Sequence, residues 1–369
     1  MKPRNQRLFR KVLPYTIIWL LGGLIYYLLE KGIMGDATVY PANGNVYNPF
    51  TSLISISIVA VIVGTLLGIL EEGFFKNLLR KQPFLFKVFL KTILYVSIIA
   101  IMITSSAQVL NSILLSHSLF APEVIDHTIN FITNFVFVSV LLYTGSVVGL
   151  SLFFSEMVDH IGLNAVLNFF TGRYSTSIIE ERVFMFLDMK SSTTIAEKLG
   201  HEQYYLFLNT YYRDMTKAIV NTKGEIYQYV GDEIIISWKR ENGLLDLNCL
   251  NCFTLIKKRI KKRETYYQDK FGIVPEFKAG LHIGDVTTGE VGVIKKEILF
   301  TGDVLNTTAR IQGLCNELSS ELLISGELKD LLNLGGKWNS VEKGSYELRG
   351  KGNKVDIFSL ETTSLEEKH

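Results

Sequence analysis

Two aspartates occur where a short apolar strand and a tight turn would place them close together. Asp188 ends the apolar run VFMFLD at 183–188, and Asp232 lies in the Gly-Asp turn of YQYVGDEIII at 227–236. Turns select Asp and Gly, so turn chemistry alone explains Asp232. If the strand lies beside the hairpin, both carboxylates emerge at one edge of the sheet and repel each other. A divalent cation relieves that repulsion, and magnesium suits a site with few oxygen ligands because it keeps waters and binds phosphates.

The residues directly after Asp188 fit a phosphate-binding helix start. They are Met189, Lys190, Ser191, Ser192 and Thr193. The free N–H groups of a first helical turn attract anions. Ser and Thr are also ordinary helix caps, which explains them without a ligand. Both interpretations are compatible with these residues.

A third polar group lies in TGDVLNTTAR at 301–310. Asp303 can cap a helix in which Asn306 and Arg310, four residues apart, share one face. An amide and a guanidinium suit a ribose and a phosphoryl group, because Arg offers a fixed fork to phosphoryl oxygens. The alternative is a surface helix with unrelated polar residues.

Alternating strand and helix patterns must position these groups. The sequence predicts a central strand at 183–188, a helix at 192–221 interrupted at Gly200, the hairpin at 228–237, a charged helix near 243–270, strands near 276–284 and 286–300, a helix from Asp303, and strands near 321–325 and 345–360. Two strand-helix-strand units in one sheet predict a ferredoxin-like α+β domain.

The first half of the chain has a different composition. Apolar stretches lie near 13–29, 51–70, 92–110 and 131–154. Each is close to the length of about 20 residues that crosses a bilayer as a helix. Basic residues precede the first stretch and separate the second from the third, which predicts that both termini and the second half are cytoplasmic. We therefore expect a multi-pass protein of the inner or plasma membrane, and few ionisable residues in the spans argue against a transporter.

Several remaining features favour ordinary structural roles. The net charge of +2 gives no argument for nucleic-acid binding, and the run KKRIKKR at 257–263 is typical of a solvated helix face. Cys249 and Cys252 have the spacing of half a zinc or redox site, but the sequence has no second pair. His282 lies in an apolar strand, which predicts a core histidine.

Four blocks in this order resemble the catalytic domain of the class III nucleotidyl cyclases, the adenylate and guanylate cyclases. The blocks are FLDMKSST, YVGDEIIISW, AGLHIGDVTTGEVG and TGDVLNTTAR. The resemblance covers about 179–361 and indicates a bacterial, membrane-anchored member. It implies that Asp188 and Asp232 bind two divalent ions, Mg²⁺ or Mn²⁺. It also implies that Asn306 and Arg310 reach across a homodimer interface to the ribose and α-phosphate, and that Lys351 contacts the triphosphate.

The reaction implied is attack of the substrate's own 3′-hydroxyl on its α-phosphorus, which forms a 3′,5′-cyclic nucleotide for intracellular signalling and releases pyrophosphate. Gln228 and Leu299 occupy the positions at which the family reads the base. Adenylate cyclases carry Lys and then Asp or Thr there, and guanylate cyclases carry Glu at the first. Gln can donate and accept hydrogen bonds, whereas Leu can do neither. ATP is the favoured substrate, with GTP or a pyrimidine triphosphate as alternatives.

The expected organisation is a four-helix transmembrane domain at 1–155, an amphipathic connector at 156–178, the catalytic domain at 179–361 and a tail at 362–369. A non-catalytic, nucleotide-binding membrane sensor is the alternative from another class of protein. The Gly231-Asp232-Glu233 loop also resembles the corresponding loop of the diguanylate cyclases, but those enzymes need a second glycine at the position of Val230.

Overall fold

The computed structural model divides the chain into two compact units, here called the helical unit, Met1–Phe170, and the sheet unit, Thr171–His369. It describes the chain except for residues 1–2, 40–45, 77, 80–81, 163–165, 167, 169–170, 175, 295, 348–353 and 364–369, and it leaves the side chains of 3–8, 10 and 114 undescribed.

Long apolar helices form the helical unit. They are α1 Pro3–Met34, α2 Pro49–Leu70, α3 Phe84–Leu115, α4 Pro122–Thr133 and α5 Phe135–Ile161, with a π-helical turn at Glu71–Phe75 directly after α2. Four segments are long and apolar enough to cross a membrane: Lys11–Met34, Pro49–Phe75, Phe84–Ile113 and Phe135–Ile161. The four predicted stretches therefore form candidate membrane spans. The shorter α4, in the connection before α5, was not predicted.

Local chemistry explains how α2 begins and how it packs. The Asn48 side chain accepts hydrogen bonds from two backbone N–H groups of the first turn, and Pro49 takes the first helical position, a combination that favours helix initiation. Farther along, a Cβ on Gly64 would lie 2.6 Å from Trp19 Cβ of α1. Only a residue without a side chain permits this approach, which is a common device for packing helices in bilayers.

Buried charges join three helices of this unit near their ends. The Lys91 ammonium in α3 pairs with the Glu71 carboxylate after α2 and lies 3.7 Å from Glu156 in α5. Glu71 also accepts a hydrogen bond of 2.9 Å from the Tyr95 hydroxyl, and Glu156 pairs with Lys87. The two ammonium groups and two carboxylates balance in charge, as buried ionic groups must.

The sheet unit combines long strands with helices. The strands are β1 Ile178–Met189, β2 Glu225–Val230, β3 Glu233–Lys239, β4 Phe277–Val291, β5 Glu297–Thr301, β6 Leu322–Ser325, β7 Trp338–Glu347 and β8 Lys354–Thr362. The helices are α6 Ser192–Asn221, α7 Arg240–Leu244, α8 Asn248–Lys262, α9 Glu264–Phe271, α10 Asp303–Gly313 and α11 Gly326–Leu331. The sheet order is β2-β3-β1-β4-β6-β8-β7, and β5 pairs with β4.

The predicted ferredoxin-like arrangement is confirmed in this unit. Strand β1, helix α6, the β2–β3 hairpin, helix α8 and strand β4 follow one another along the chain, and the four strands take the order β2-β3-β1-β4. Strand β1 pairs antiparallel with both β3 and β4. It is therefore a central strand, as its apolar sequence predicts.

Both faces of β1 are covered by helices. Met185 and Leu187 pack in the large core with Phe207 of α6 and Ile256 of α8. Phe184 and Phe186 pack on the other side with Val304 of α10. Alternation of side chains along a strand produces this division, and it fixes the position of the strand end that carries Asp188.

Some predicted boundaries were wrong. The charged helix near 243–270 is broken into α7, a 3₁₀ turn at Leu245–Leu247, α8 and α9, because Asp246 and Leu247 adopt left-handed backbone angles, with φ of 50° and 57°. The strands near 276–284 and 286–300 are instead one long β4 followed by β5. The interruption predicted at Gly200 occurs there, with φ of 70°.

Candidate active site

The structure brings Asp188 and Asp232 together at one edge of the sheet. In the register between β1 and β3, Leu187 pairs with Ile234, so the end of β1 faces the turn between β2 and β3. The two carboxyl groups are neighbours: burial, the charge of Asp232 and a hydrogen bond to it raise the pKa of Asp188. The sequence prediction that a buried strand and a turn present these carboxylates side by side holds in the fold.

A third carboxyl group, Glu233, adds to the negative charge. Burial first, and then the charges of Asp188 and Asp232, raise the pKa of Glu233 to about 7. The charges of these carboxyl groups repel one another and favour the binding of positive charge.

Lys278 and Gln312 oppose this repulsion. Lys278, paired with Asp188 in the β1–β4 register, places its ammonium nitrogen 3.6 Å from Asp188 Oδ2. The amide nitrogen of Gln312 donates to the same oxygen at 3.1 Å. Lys278 is 9% exposed and Gln312 is 7% exposed. One ammonium does not neutralise three carboxyl groups, so the site keeps a capacity for added cations.

The carboxylate oxygens at this site fit divalent cations that take their remaining ligands from water and phosphate. Asp232 Oδ2 is buried and has no hydrogen-bond partner in the described part of the chain. Within that part, no three His, Cys, Asp or Glu side chains converge as a complete metal site. Two carboxylates that leave coordination positions for water and phosphate match the preference of Mg²⁺.

Tyr212 holds the turn that carries Asp232. Its hydroxyl donates to the carbonyl oxygen of Gly231 at 2.7 Å, and its ring lies 4.5 Å from that of Tyr229. Gly231 has a φ of 62°, a conformation that glycine adopts without steric cost. The turn is thus fixed by glycine at its tip and by a tyrosine of α6 from outside.

The start of α6 has free amide groups beside the carboxylate pair. Ser191 occupies the cap position with a φ of 56°, and its side chain makes no capping hydrogen bond. The capping interpretation is therefore not realised at Ser191, and N–H groups of the first turn, which includes Ser192 and Thr193, remain available. Met189 is buried. The Lys190 ammonium is engaged by Glu276 at 3.4 Å and Glu321 at 3.7 Å.

Helix α10 carries Asn306 and Arg310 on a different face from Gln312. Asn306 is exposed, Arg310 is half-buried, and Arg310 Nη1 is buried without a hydrogen-bond partner among the described residues. At about 100° per residue, Gln312 points roughly 160° away from Arg310 around the helix. Gln312 contacts Asp188 of its own chain, so Arg310 extends from the side of the helix that faces away from this carboxylate.

Gln228 and Leu299 lie on strands that contact each other. Gln228 is exposed in β2, and Leu299 in β5 is 38% exposed. Their neighbours Tyr227 and Phe300 pack with ring centroids 4.8 Å apart, and the Phe300 N–H donates to the Tyr227 hydroxyl at 3.4 Å. This contact ties β2 to β5 one residue away from each of the two exposed positions. Lys351 lies outside the described residues.

Lys278, Glu233 and Gln312 were missed from the sequence. Glu233 adjoins Asp232 and could have been read as part of the acidic group. Lys278 gave a weaker signal, as a single charge in the apolar strand FKAGLHI. Gln312 gave none, because its role depends on how α10 packs against the sheet.

The sheet unit is similar to a known protein family. Residues 176–362 match the family described as the adenylate and guanylate cyclase catalytic domain. Adenylate cyclase 2 of Rhizobium meliloti is 34% identical over 227 residues, which cover 62% of this chain and 62% of that protein. Adenylate cyclase 1 of the same organism is 24% identical over 192 residues, or 49% of this chain and 27% of that protein.

Among solved structures, the adenylyl cyclase CyaB from P. aeruginosa has a TM-score of 0.45 at 20% identity, over 51% of this chain and 97% of that one. The family match extends over more than half of the 369 residues and contains every described residue of the candidate site. The chain therefore belongs to the adenylate and guanylate cyclase catalytic domain family.

Proposed function

We propose that this chain is a membrane-anchored nucleotidyl cyclase that converts a nucleoside triphosphate, ATP in preference, into the 3′,5′-cyclic nucleotide and pyrophosphate. The observation that carries the proposal is the pair Asp188 and Asp232, with a buried Asp232 oxygen that has no partner among the described residues. This pair lies beside a helix start with free amides and a buried ammonium, a combination suited to a metal-bound triphosphate.

The carboxylates of Asp188 and Asp232 would hold two divalent cations, Mg²⁺ or Mn²⁺. When bound there, such cations would lower the pKa of the attacking 3′-hydroxyl and would neutralise charge on the leaving pyrophosphate. Lys278, 3.6 Å from Asp188, adds a fixed positive charge next to the same phosphates. The first-turn amides of α6 at Ser192 and Thr193 complete the anion-binding surface.

The remaining groups would orient the substrate and stabilise developing charge. Asn306 binds the ribose, so that the 3′-hydroxyl faces the α-phosphorus in line with the departing pyrophosphate. Arg310 donates to the phosphoryl oxygens as negative charge grows there, and such preorganised donors contribute strongly to catalysis. Lys351 contacts the triphosphate in this assignment. The 3′ oxygen–phosphorus bond forms as the bond to pyrophosphate breaks, and no covalent enzyme intermediate is needed.

The faces of α10 support a homodimer with two composite sites. Gln312 contacts the metal-binding aspartate of its own chain at 3.1 Å, whereas Arg310 points away from it, so the asparagine and arginine of one protomer serve the aspartates of its partner. The β4–β5 connection supports the same assembly. It exposes Val293 and Ile294 almost completely, at 97% and 104% of the reference area, and adjacent exposed apolar residues are typical of an interface.

ATP is the proposed substrate because the relatives reported above are adenylate cyclases. The exposed amide of Gln228 can both donate to and accept from a base edge, and Leu299 offers an apolar contact. GTP and the pyrimidine triphosphates remain the alternatives, since Gln228 with Leu299 matches neither usual pair.

The chain is proposed to lie in the inner or plasma membrane, with 1–155 as the transmembrane domain and 156–178 as the connector. The basic residues of 1–11 and 76–91 favour a cytoplasmic N-terminus and a cytoplasmic catalytic domain at 179–361, with the tail at 362–369,. Of the connector, residues 163–165, 167, 169–170 and 175 lie outside the described part of the chain. Helix α5 continues to Ile161, beyond the expected boundary at 155.

Complementation between two inactive variants tests this proposal. Asp188→Asn and Asn306→Ala should each abolish formation of the cyclic nucleotide from ATP. Co-expressed in equal amounts, half of the dimers are mixed and each contains one intact composite site, so about a quarter of wild-type activity should return. Absence of recovery in demonstrably mixed dimers would contradict the composite site, and full activity of either variant alone would contradict the assigned roles.

A further inference from the structure

We propose that Gln312 is a positioning residue for the metal-binding Asp188. Because Asn306 and Arg310 lie on the same helix, α10 then positions both the metal-binding aspartate and the pair of Asn306 and Arg310. The proposal rests on the function proposed above and extends it to a residue that has no assigned role. Among the described residues, Asp188 contacts the Lys278 ammonium from the sheet and the neutral Gln312 amide from helix α10.

The hydrogen bond itself is well suited to positioning. The Gln312 amide nitrogen donates to Asp188 Oδ2 at 3.1 Å, and the Gln312 side chain is buried, with the residue 7% exposed. Because a carboxylate oxygen has more than one acceptor direction, this bond restricts rotation of the Asp188 side chain without using up its capacity to bind a cation. The second Asp188 partner, Lys278, lies at the longer distance of 3.6 Å.

The backbone around Gln312 is fixed as tightly as its side chain. A Cβ on Gly280 of β4 would lie 2.3 Å from the Gln312 nitrogen and 2.7 Å from its Cα. Gly280 therefore lets α10 lie directly against the sheet at this point, next to Leu281, which pairs with Met185 of β1. The end of α10 cannot move toward the sheet, and the amide of Gln312 reaches Asp188 from a set position.

The same helix carries Asn306 and Arg310. These residues lie about 9 Å and 3 Å from Gln312 along the helix axis, at roughly 1.5 Å of rise per residue. In the proposed dimer they serve the partner's aspartates, while Gln312 serves the aspartate of its own chain. Gln312 and Arg310 thus act in two different composite sites, and each helix α10 contributes to both.

Removal of the Gln312 amide should lower the affinity for the metal more than it changes the affinity for the nucleotide. Hydrogen bonds to charged groups are stronger than those between neutral groups. Because Asp188 is partly exposed, we expect an effect in the lower part of the range for such bonds. Gln312→Leu should therefore weaken Mn²⁺ binding about tenfold. The nucleotide KM should change less than the metal concentration that gives half-maximal activity. Thr308→Val is the matched control, since Thr308 is fully buried in the same helix and, among the described residues, its hydroxyl bonds only to the helix, at Val304 O.

The first experiment measures Mn²⁺ binding to the full-length protein in detergent, without nucleotide, from the electron paramagnetic resonance signal of free Mn²⁺. Wild type and Thr308→Val should bind alike, Gln312→Leu about tenfold more weakly, and Asp188→Asn not measurably. Gln312→Met, which has similar length and no donor, replaces Gln312→Leu if that variant does not fold. Equal Mn²⁺ affinity of the wild type and the Gln312 variant overturns the inference alone, whereas absence of Mn²⁺ binding by the wild type overturns the proposed function as well.

The second experiment places Gln312→Leu on one chain of the mixed dimer. In that dimer, the chain with Asn306→Ala supplies the working aspartates and the chain with Asp188→Asn supplies the working asparagine and arginine. Gln312→Leu should raise the half-maximal metal concentration about tenfold when it lies on the first chain and leave it unchanged on the second. An equal effect on both chains, or an effect confined to the second, would mean that Gln312 only supports the helix, and would overturn the inference.

Discussion

Loss of the Lys91 ammonium should destabilise the helical unit strongly. The Lys91 side chain has no exposed area, and its partners Glu71 and Glu156 are 4% and 11% exposed. Lys91→Met would leave Glu71 with the Tyr95 hydroxyl, 2.9 Å away, as its one remaining partner in the described part of the chain, while Glu156 would keep Lys87. Removal of one partner of a buried ion pair costs about 3–5 kcal/mol, because the other charge stays buried without compensation.

Full-length protein unfolded with SDS, followed by circular dichroism of the helices, measures this effect. The matched control is Lys11→Met, which removes an ammonium from Glu72 and Asp159. Both carboxylates keep the Lys76 ammonium, so this variant should lose much less stability than Lys91→Met. Adding Glu71→Leu to Lys91→Met should recover most of the stability, since an apolar pair can replace a buried ion pair. Equal stability of the Lys91 and Lys11 variants, or no recovery in the double variant, would refute the reasoning.

Three further outcomes are expected. Tyr212→Phe removes the hydrogen bond to Gly231 O and should lower the metal affinity about fivefold, at about 1 kcal/mol for a neutral hydrogen bond. Mn²⁺ titration checks this, and an unchanged affinity would argue against support of the turn by Tyr212. Ile294→Lys should shift the protein toward monomer and lower its specific activity at low concentration, as sedimentation of detergent-solubilised protein would measure; an unaltered dimer contradicts a role for this connection in assembly. Burial raises the pKa of Cys249 and of Cys252 to about 12, so both thiols remain protonated at pH 9. Because the thiolate is the reactive form, both should resist iodoacetamide until the protein unfolds. Rapid labelling of the native protein would contradict this.

The order of elements around the carboxylate pair was predictable because its signals are local. The run ending at Asp188 is apolar throughout, as a central strand requires, and the Gly-Asp dipeptide at 231–232 marks a turn. Those two features place the aspartates at one edge once the strand lies beside the hairpin. The break at Gly200 was equally readable, because glycine tolerates the positive φ found there,.

The remaining site residues depend on contacts between distant segments. Lys278 reaches Asp188 only because β4 pairs with β1 in a register that aligns the two, and neither segment specifies that register. Gln312 reaches the same carboxylate because Gly280 admits the backbone of α10. The breaks within 243–270 were missed for a different reason. Asp246 and Leu247 take left-handed backbone angles, and neither position holds glycine, the residue that usually signals such angles.

Charge in the helical unit was also difficult to read. Glu71 and Lys91 lie just beyond or at the edge of apolar stretches, where charged residues ordinarily face the membrane surface. Packing of α2, α3 and α5 instead buries these residues against one another. A spacing of 20 positions in the sequence gives no indication of this contact.

Identification of the product tests the central claim most directly. Purified full-length protein is supplied with ATP, GTP, CTP or UTP and with Mg²⁺ or Mn²⁺, and the products are identified by mass and by comparison with authentic 3′,5′-cyclic nucleotides. We predict 3′,5′-cyclic AMP and pyrophosphate in equal amounts from ATP, and loss of both products in Asp188→Asn and Asp232→Asn. Folded, dimeric protein that binds nucleotide but forms no cyclic product from any of the four triphosphates would contradict the proposed function.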